Sequence, residues 1–324
     1  MTHAEIWETL ESTAPVSQES RRRVEPDSIA DVWFVLKGKQ RLRTLRIEIS
    51  DLNGLGNLPN GKGIHTEIFQ TGTGMYLDIS LQSNRFSDVF DVLVLDLINA
   101  AVTAPSQDAV TSAVANRILH WQEFLRQSLD GLTSEAQRGL FGELKVLEWL
   151  AQSTNLEMAV AHWAGPKGYS QDFHVGATSI EVKTSASKNP QSLRISSERQ
   201  LDTSNLDFLA LWHWSVDERL DHGQTLASLI DDIRRNLKAS SAQQSFEDSL
   251  LRVGYLDIHA SRYKIGYGIR SLQVYEVSDE FPRIVEADCS DGLGDVSYSI
   301  QLGALTRFLI EIEALQERIN LAKD

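Results

Sequence analysis

Three residues in the stretch SQDFHVGATSIEVKTSAS, from Ser170 to Ser187, have types and spacing that suit one chemistry: Asp172, Glu181 and Lys183. Hard carboxylate oxygens hold Mg²⁺ through one or two ligands and leave its remaining positions to water and phosphate oxygens. An ammonium group beside them can orient the attacking water or neutralise charge that builds on the phosphoryl group. Converging on one point, the three residues imply divalent-metal-assisted cleavage of a phosphodiester.

Convergence requires particular elements. The run ATSIEVKTSA is rich in β-branched residues and predicts a strand. Alternation along it puts Glu181 and Lys183 on one face and Ile180, Val182 and Thr184 on the other. Asp172 lies in DFHV, joined to that run through Gly176 and Ala177, so the two runs predict a hairpin with Asp172 across from Glu181. Upstream, a helix is expected from Ser134 to about Gln152, opened by a capping box of Ser134 and Gln137. Its apolar stripe is Ala136, Leu140, Leu144, Leu147 and Ala151. Glu143 falls on the border of that stripe and can face the sheet, whereas Glu135 and Lys145 fall away from it. A border glutamate that only covers apolar surface with its stem is the competing reading.

These residues resemble the PD-(D/E)xK nuclease superfamily. Asp172 matches the motif's aspartate, Glu181 its acidic position and Lys183 its lysine, while Gln171 stands where the name-giving proline would be and is expected to carry no chemistry. The resemblance covers about Ser134 to Val216 and implies the order helix, three short strands, helix, strand. It also implies that Glu143, in LFGELKVL, is the glutamate supplied by the preceding helix. More narrowly, LFGELKVL, DFHVGATSIEVKTS and SSERQLD are similar to a bacterial group of PD-(D/E)xK motif proteins found in restriction and anti-phage cassettes. Gln200 is a candidate for supporting that set from behind the metal ligands, although Ser197 and Gln200 also form a capping box, the preferred reading. What the resemblance implies is a Mg²⁺- or Mn²⁺-dependent endodeoxyribonuclease acting on DNA with other subunits, an ATPase or helicase-like protein among them. An inactive nuclease-fold subunit that binds DNA or assembles a complex is the first alternative. An unrelated α/β interaction protein with an accidental motif is the second.

The fold class expected is α/β, or α+β overall, with a restriction-endonuclease-like mixed sheet flanked by helices. Length allows two domains, placed at 1–130 and 131–324, the second carrying the nuclease core and a C-terminal helical and β extension. In the first, a short helix over Ala4–Glu11 and a polar connector, SQESRRRVEPDS, precede a hairpin turning near Gly38. Strands in GIHTEIFQ and GMYLDISLQ follow, then helices from Phe86 to Val102 and from Gln107 to Leu129. Beyond the core, two amphipathic helices, strands in YKIGYGIRSLQVYEVS, RIVEA and DVSYSIQL, and a helix from Ala304 to Leu321 are expected.

Composition narrows function. The single cysteine, Cys289, excludes an intramolecular disulfide, and a cytoplasmic protein without a signal peptide or membrane span is expected. A net charge of −14 excludes a broad nucleic-acid-coating surface, so contacts with DNA should be local. The densest positive stretch is the first hairpin, where Lys37, Lys39, Arg41, Arg43 and Arg46 are candidate DNA contacts or, alternatively, guards of a sheet edge. From Leu201 to Asp324 there are 21 acidic and 12 basic residues, which favours protein partners there, a homo-oligomer included. GNLPNGKG matches a phosphate-loop spacing, but Gly63 replaces the metal-binding Ser or Thr and a strand pattern follows, so it reads as a turn. His162, His174 and His213, and the tryptophans at 149, 163, 212 and 214, read as packing residues.

Overall fold

The computed structural model describes residues 3–13, 19–24, 28–51, 63–127, 131–186, 192–220, 222–237 and 241–321. The GNLPNGKG turn lies outside them except for Gly63. The chain divides into two compact units, 1–131 and 132–324.

Among the described residues, the first unit is an antiparallel sheet with three α-helices. Helix α1 (His3–Thr13) precedes β1 (Ser20–Arg23), β2 (Val32–Lys37), β3 (Leu42–Ile49), β4 (Ile64–Gln70) and β5 (Met75–Leu81). The strands lie in the order β1-β2-β3-β5-β4, and α2 (Ser87–Val102) and α3 (Gln107–Gln127) follow. Alternation explains the sheet: Phe34, Leu45, Ile47, Leu77 and Ile79 are buried, as is the stripe Phe90, Leu93, Leu97 and Ala101 of α2. Gly38, at φ 68°, supplies the left-handed residue that the first hairpin requires. The polar connector is partly a strand: β1 pairs with β2, with Arg21 over the Trp33 ring at 4.6 Å and Arg23 on Asp31 at 2.9 Å. Long arginine stems cover the apolar edge while their heads stay wet, which a polarity count reads as loop.

The basic hairpin is occupied by its own unit. Arg46 sits directly across from Asp78, both buried, and binds it through Nε and Nη2 at 2.7 and 2.9 Å while Nη1 reaches Glu19 at 2.7 Å. Asp78 and Glu19 hold the guanidinium further above its ordinary value. Lys37 reaches Asp78 at 2.9 Å and also Glu67. Arg43 pairs with Glu11 at 2.7 Å, and Arg41 donates to the carbonyls of Leu10 and Glu11. Lys39 stands exposed in the turn. The density of positive charge visible in sequence is therefore largely neutralised by carboxylates distant in sequence, which removes the field on which a phosphate-gripping hairpin depends.

The second unit begins with α4 (Ser134–Ser153) and α5 (Leu156–His162), followed by β6 (Phe173–Val175), β7 (Thr178–Ser185), β8 (Ser192–Ile195) and β9 (Phe208–Leu220). Then come β10 (Gln224–Thr225), α6 (Leu226–Asn236), α7 (Ser241–Arg252), β11 (Ile265–Glu276), β12 (Tyr298–Gln301), β13 (Leu309–Ile310) and α8 (Ile312–Leu321). The main sheet has the order β10-β11-β9-β7-β6, with β13 on β11; β7 and β9 are parallel and the other pairs antiparallel. This is the mixed sheet expected of a nuclease-like α/β fold. One face packs on α4 through Ile180, Val182, Trp212, Trp214, Leu144 and Leu147, and Trp149 and Trp163 join that core.

Several elements differ from expectation. Thr133, not Ser134, caps α4, its Oγ1 accepting from Ala136 N at 3.2 Å. The third short strand, β8, leaves the main sheet and pairs with β12 as a separate ribbon. SSERQLD forms turns rather than a helix start, and RIVEA holds a short 3₁₀ turn over Glu286–Asp288. The last helix begins at Ile312, because a 3₁₀ turn over Leu302–Phe308 and β13 take the residues before it.

Asp78→Ala leaves Arg46 charged and buried, and should destabilise the first unit by about 3–5 kcal/mol. Chemical denaturation followed by circular dichroism measures this; a change under about 1 kcal/mol would remove the pair from the determinants of this sheet.

Candidate active site

The site forms at the start of β6. Turn residue Gly176, at φ 58°, closes a hairpin in register Phe173↔Ile180, and β6 is three residues long, so β7 runs on past it with an unpaired edge. Asp172, one residue before β6, fills that place: its Oδ2 accepts from Val182 N at 2.7 Å. The same register sets Asp172 across from Glu181. Glu181 and Lys183 share a face of β7, and the Lys183 ammonium donates to Glu181 Oε1 at 2.7 Å. Glu181 Oε2 is buried and lacks a hydrogen-bond partner among the described residues.

Helix α4 brings the fourth group. A Cβ on Gly142 would lie 1.9 Å from Thr184 Oγ1 and 3.1 Å from Trp214 Cδ1, so only glycine lets the helix come this close to β7. Trp214 Nε1 donates to Gly142 O at 3.1 Å, fixing the approach. Glu143, the next residue, lies beside the strand carboxylates, its Oε2 accepting from Trp163 Nε1 at 2.9 Å. Glu143, Asp172, Glu181, Lys183 and Gln200 line one cleft of about 460 Å³, together with Arg138 and Arg194 among others. Arg138 is held by Glu218 at 2.9 Å and by Thr184 O at 3.2 Å.

Gln200 has two bonds at once. Its Oε1 accepts from Lys183 Nζ at 3.1 Å and from Ser196 N at 2.8 Å; the expected capping box is not formed, since no helix starts here and Ser197 Oγ accepts from Arg199 N instead, and the contact with the lysine is what the turn provides. Gln171, at the position of the name-giving proline, has a structural part. Buried, it donates from Nε2 to Arg199 O at 2.9 Å and Gln200 O at 3.3 Å, tying the Asp172 segment to the turn that carries Gln200. A proline there could make neither bond. The signal in the sequence is the long amide next to the motif aspartate. Of the histidines, His213 is buried on Ser185 Oγ at 2.8 Å, and burial pushes it down to about 4; His174, also lowered by burial, bonds Ser179 Oγ at 2.6 Å.

Electrostatics follow from burial. Glu181 is pushed up to about 8, first by burial and then by Asp172, with Lys183 opposing. Burial and then Asp172 push Glu143 well above the usual carboxylate range, and burial raises Asp172 against the pull of Lys183. Burial works against the Lys183 charge, yet Glu181 and Asp172 more than offset it and hold the ammonium above its ordinary value. Three buried carboxylates face one ammonium, and one oxygen lacks a partner. Such a set fits a hard cation held by Asp172 and Glu181. Among the described residues no group of three or more His, Cys, Asp or Glu side chains forms a ready-made cage.

A family described as "Putative PD-(D/E)XK family member" (DUF4420) matches residues 3–303. The chain belongs to it. No curated protein and no solved structure matches the chain. The PD-(D/E)XK match spans nearly the whole sequence, far beyond the 134–216 segment in which the motif is legible, so the first unit is as much part of the family pattern as the second. No helix among the described residues is long and apolar enough to cross a membrane.

Gly142→Ala should cost about 1–3 kcal/mol by forcing α4 away from β7, and the displacement of Glu143 should show as altered accessibility of the cleft in hydrogen exchange. A second expectation concerns pH. The Glu181 carboxyl keeps its proton in the folded state up to about 8 but loses it near 4.3 when unfolded. Its stabilising contribution is complete below the lower value and disappears as pH rises through the higher. In chelator, melting temperature should fall across this window, and Glu181→Gln should flatten that slope; identical slopes would contradict the burial described.

Proposed function

We propose that the chain is a divalent-metal-dependent nuclease that hydrolyses phosphodiester bonds of DNA, with Asp172, Glu181, Lys183 and Glu143 as its working groups. The observation that carries the reading is the meeting of Asp172, Glu181 and Lys183 at one free sheet edge, in a cleft open to substrate. Bound there, Mg²⁺ or Mn²⁺ would lower the pKa of a water and neutralise charge on the phosphoryl oxygens. Asp172 and Glu181 would hold it, and Glu181 has a buried oxygen, Oε2, that Lys183 leaves free for that purpose. Lys183 stays charged and presents its remaining protons to the attacking water or to a phosphate oxygen, while Gln200 fixes the direction of the ammonium. Glu143 can hold a proton at the cleft wall and relay it through water.

A role in a restriction-like or phage-defence system, with an ATPase or helicase-like partner, is part of the proposal and rests on likeness to bacterial PD-(D/E)xK motif proteins. The acidic balance from Leu201 to Asp324, 21 against 12, supports partner subunits there because it repels DNA. A second reading is an inactive nuclease-fold subunit that binds DNA or assembles a complex. It is favoured by the hydrogen bond from Lys183 to Glu181, which already occupies one ligand oxygen.

Purified chain incubated with plasmid, linear duplex and single-stranded DNA, each with Mg²⁺, Mn²⁺ or EDTA, separates the readings. Metal-dependent cleavage is expected, and Asp172→Asn, Glu181→Gln and Lys183→Met should each lower the single-turnover rate by at least about a hundredfold. Asparagine can still accept from Val182 N, so the fold should survive. Cleavage undiminished in any of the three sinks the assigned roles; retained DNA binding without cleavage in the parent chain supports the inactive subunit.

A further inference from the structure

We infer that the outward face of the β8–β12 ribbon is a nucleic-acid backbone track leading out of the cleft, with Arg194 gripping a phosphate next to the one being cleaved. The inference rests on the nuclease reading and adds to it where the strand runs and which side chain holds it.

The ribbon has two unlike faces. Leu193, Ile195 and Ile300 point inward and pack with Leu209, Leu211 and Tyr275 in a core of their own. Ser192 and Arg194 point outward, and the register places Gln301 and Ser299 directly across from them on the same face, all four exposed. That face carries no acid, in a chain of net charge −14. Ser192 and Arg194 line the same cleft as Asp172, Glu181 and Lys183, whereas Ser299 and Gln301 lie one strand further on. The face therefore starts in the cleft and continues away from it. Hydroxyl and amide groups with one guanidinium form the kind of surface that contacts sugar and phosphate without reading bases.

Arg194 also differs from the other arginine in the cleft. Arg138 is committed to Glu218 and Thr184 O, while the Arg194 side chain makes no ion pair or hydrogen bond with any described residue. A guanidinium presents a planar fork of donors that matches phosphate in a bidentate way. Glu135, which lines the cleft as well, lies on α4 rather than on the ribbon, so the acid-free face steers a strand toward β8. The ribbon is held in place from the site itself: Glu198, in the turn that carries Gln200, accepts from Val296 N at 2.8 Å, two residues before β12. A structural alternative is that Arg194 only keeps an exposed ribbon from pairing with other chains.

Fluorescence anisotropy on the full-length chain, with labelled duplex and single-stranded oligonucleotides of unrelated sequence in EDTA across a salt series, tests the inference. Arg194→Ala should raise Kd several-fold on every sequence alike and reduce the slope of log affinity against log salt by about one. Arg194→Lys should restore the slope, because it keeps the charge, but not the full affinity. In cleavage assays with Mg²⁺, the loss should fall mainly on KM rather than on kcat. The side chain is exposed, so melting temperature serves as the folding control. Cleavage by the parent chain with unchanged affinity and slope in Arg194→Ala overturns the track while leaving the nuclease intact. A parent chain that neither binds nor cuts overturns both.

Discussion

The unpaired edge of β7 beyond Ile180 is the constraint on which the site depends. Backbone donors at a buried sheet edge must be satisfied, and Val182 N is satisfied by a carboxylate rather than by a further strand residue. That one bond places Asp172 beside Glu181 and forces both into a partly dry environment. Everything unusual about the titration of the site follows: carboxylates raised by burial, and a lysine kept charged by them. Had β6 continued for two more residues, the ladder would have closed over the same edge.

Much of this was legible in the sequence because it is local. The hairpin around Gly176, the alternation of β7 and the border position of Glu143 on α4 are all set by periodicities of two and 3.6 residues, which a chain displays without reference to partners. The parts that were not legible depend on long-range pairing. Nothing in LRIS says that β8 will join β12, about a hundred residues later, instead of the main sheet. Gly142 looks like an ordinary helix glycine until Thr184 is seen against it. Likewise the carboxylates that occupy Lys37, Arg43 and Arg46 lie in β4, β5, α1 and the segment before β1, so a local count of basic residues overstated the positive field of the hairpin.

The two units treat buried charge in different ways. In the first, Arg46 and Asp78 face each other across adjacent strands, and bidentate geometry with Lys37 and Glu19 closes the network. Charges matched so fully are structural: they fix register and leave nothing to react. In the second, the match is left incomplete, with Glu181 Oε2 unpartnered and three carboxylates sharing one ammonium. An imbalance of that kind costs stability, and such costs persist where a binding partner offsets them.

The compactness of the hairpin has a consequence for how the protein assembles. Asp172, Glu181 and Lys183 flank a single tight turn between β6 and β7, so their mutual placement requires only a short loop to close, at small entropic cost. The parallel pairing of β7 with β9 and the docking of α4 close far longer loops and add Glu143, the cleft walls and the burial. Geometry and environment thus come from separate stretches of chain. The arrangement of the trio is therefore a property of one hairpin, while the strength of its charges belongs to the helix and strands packed around it.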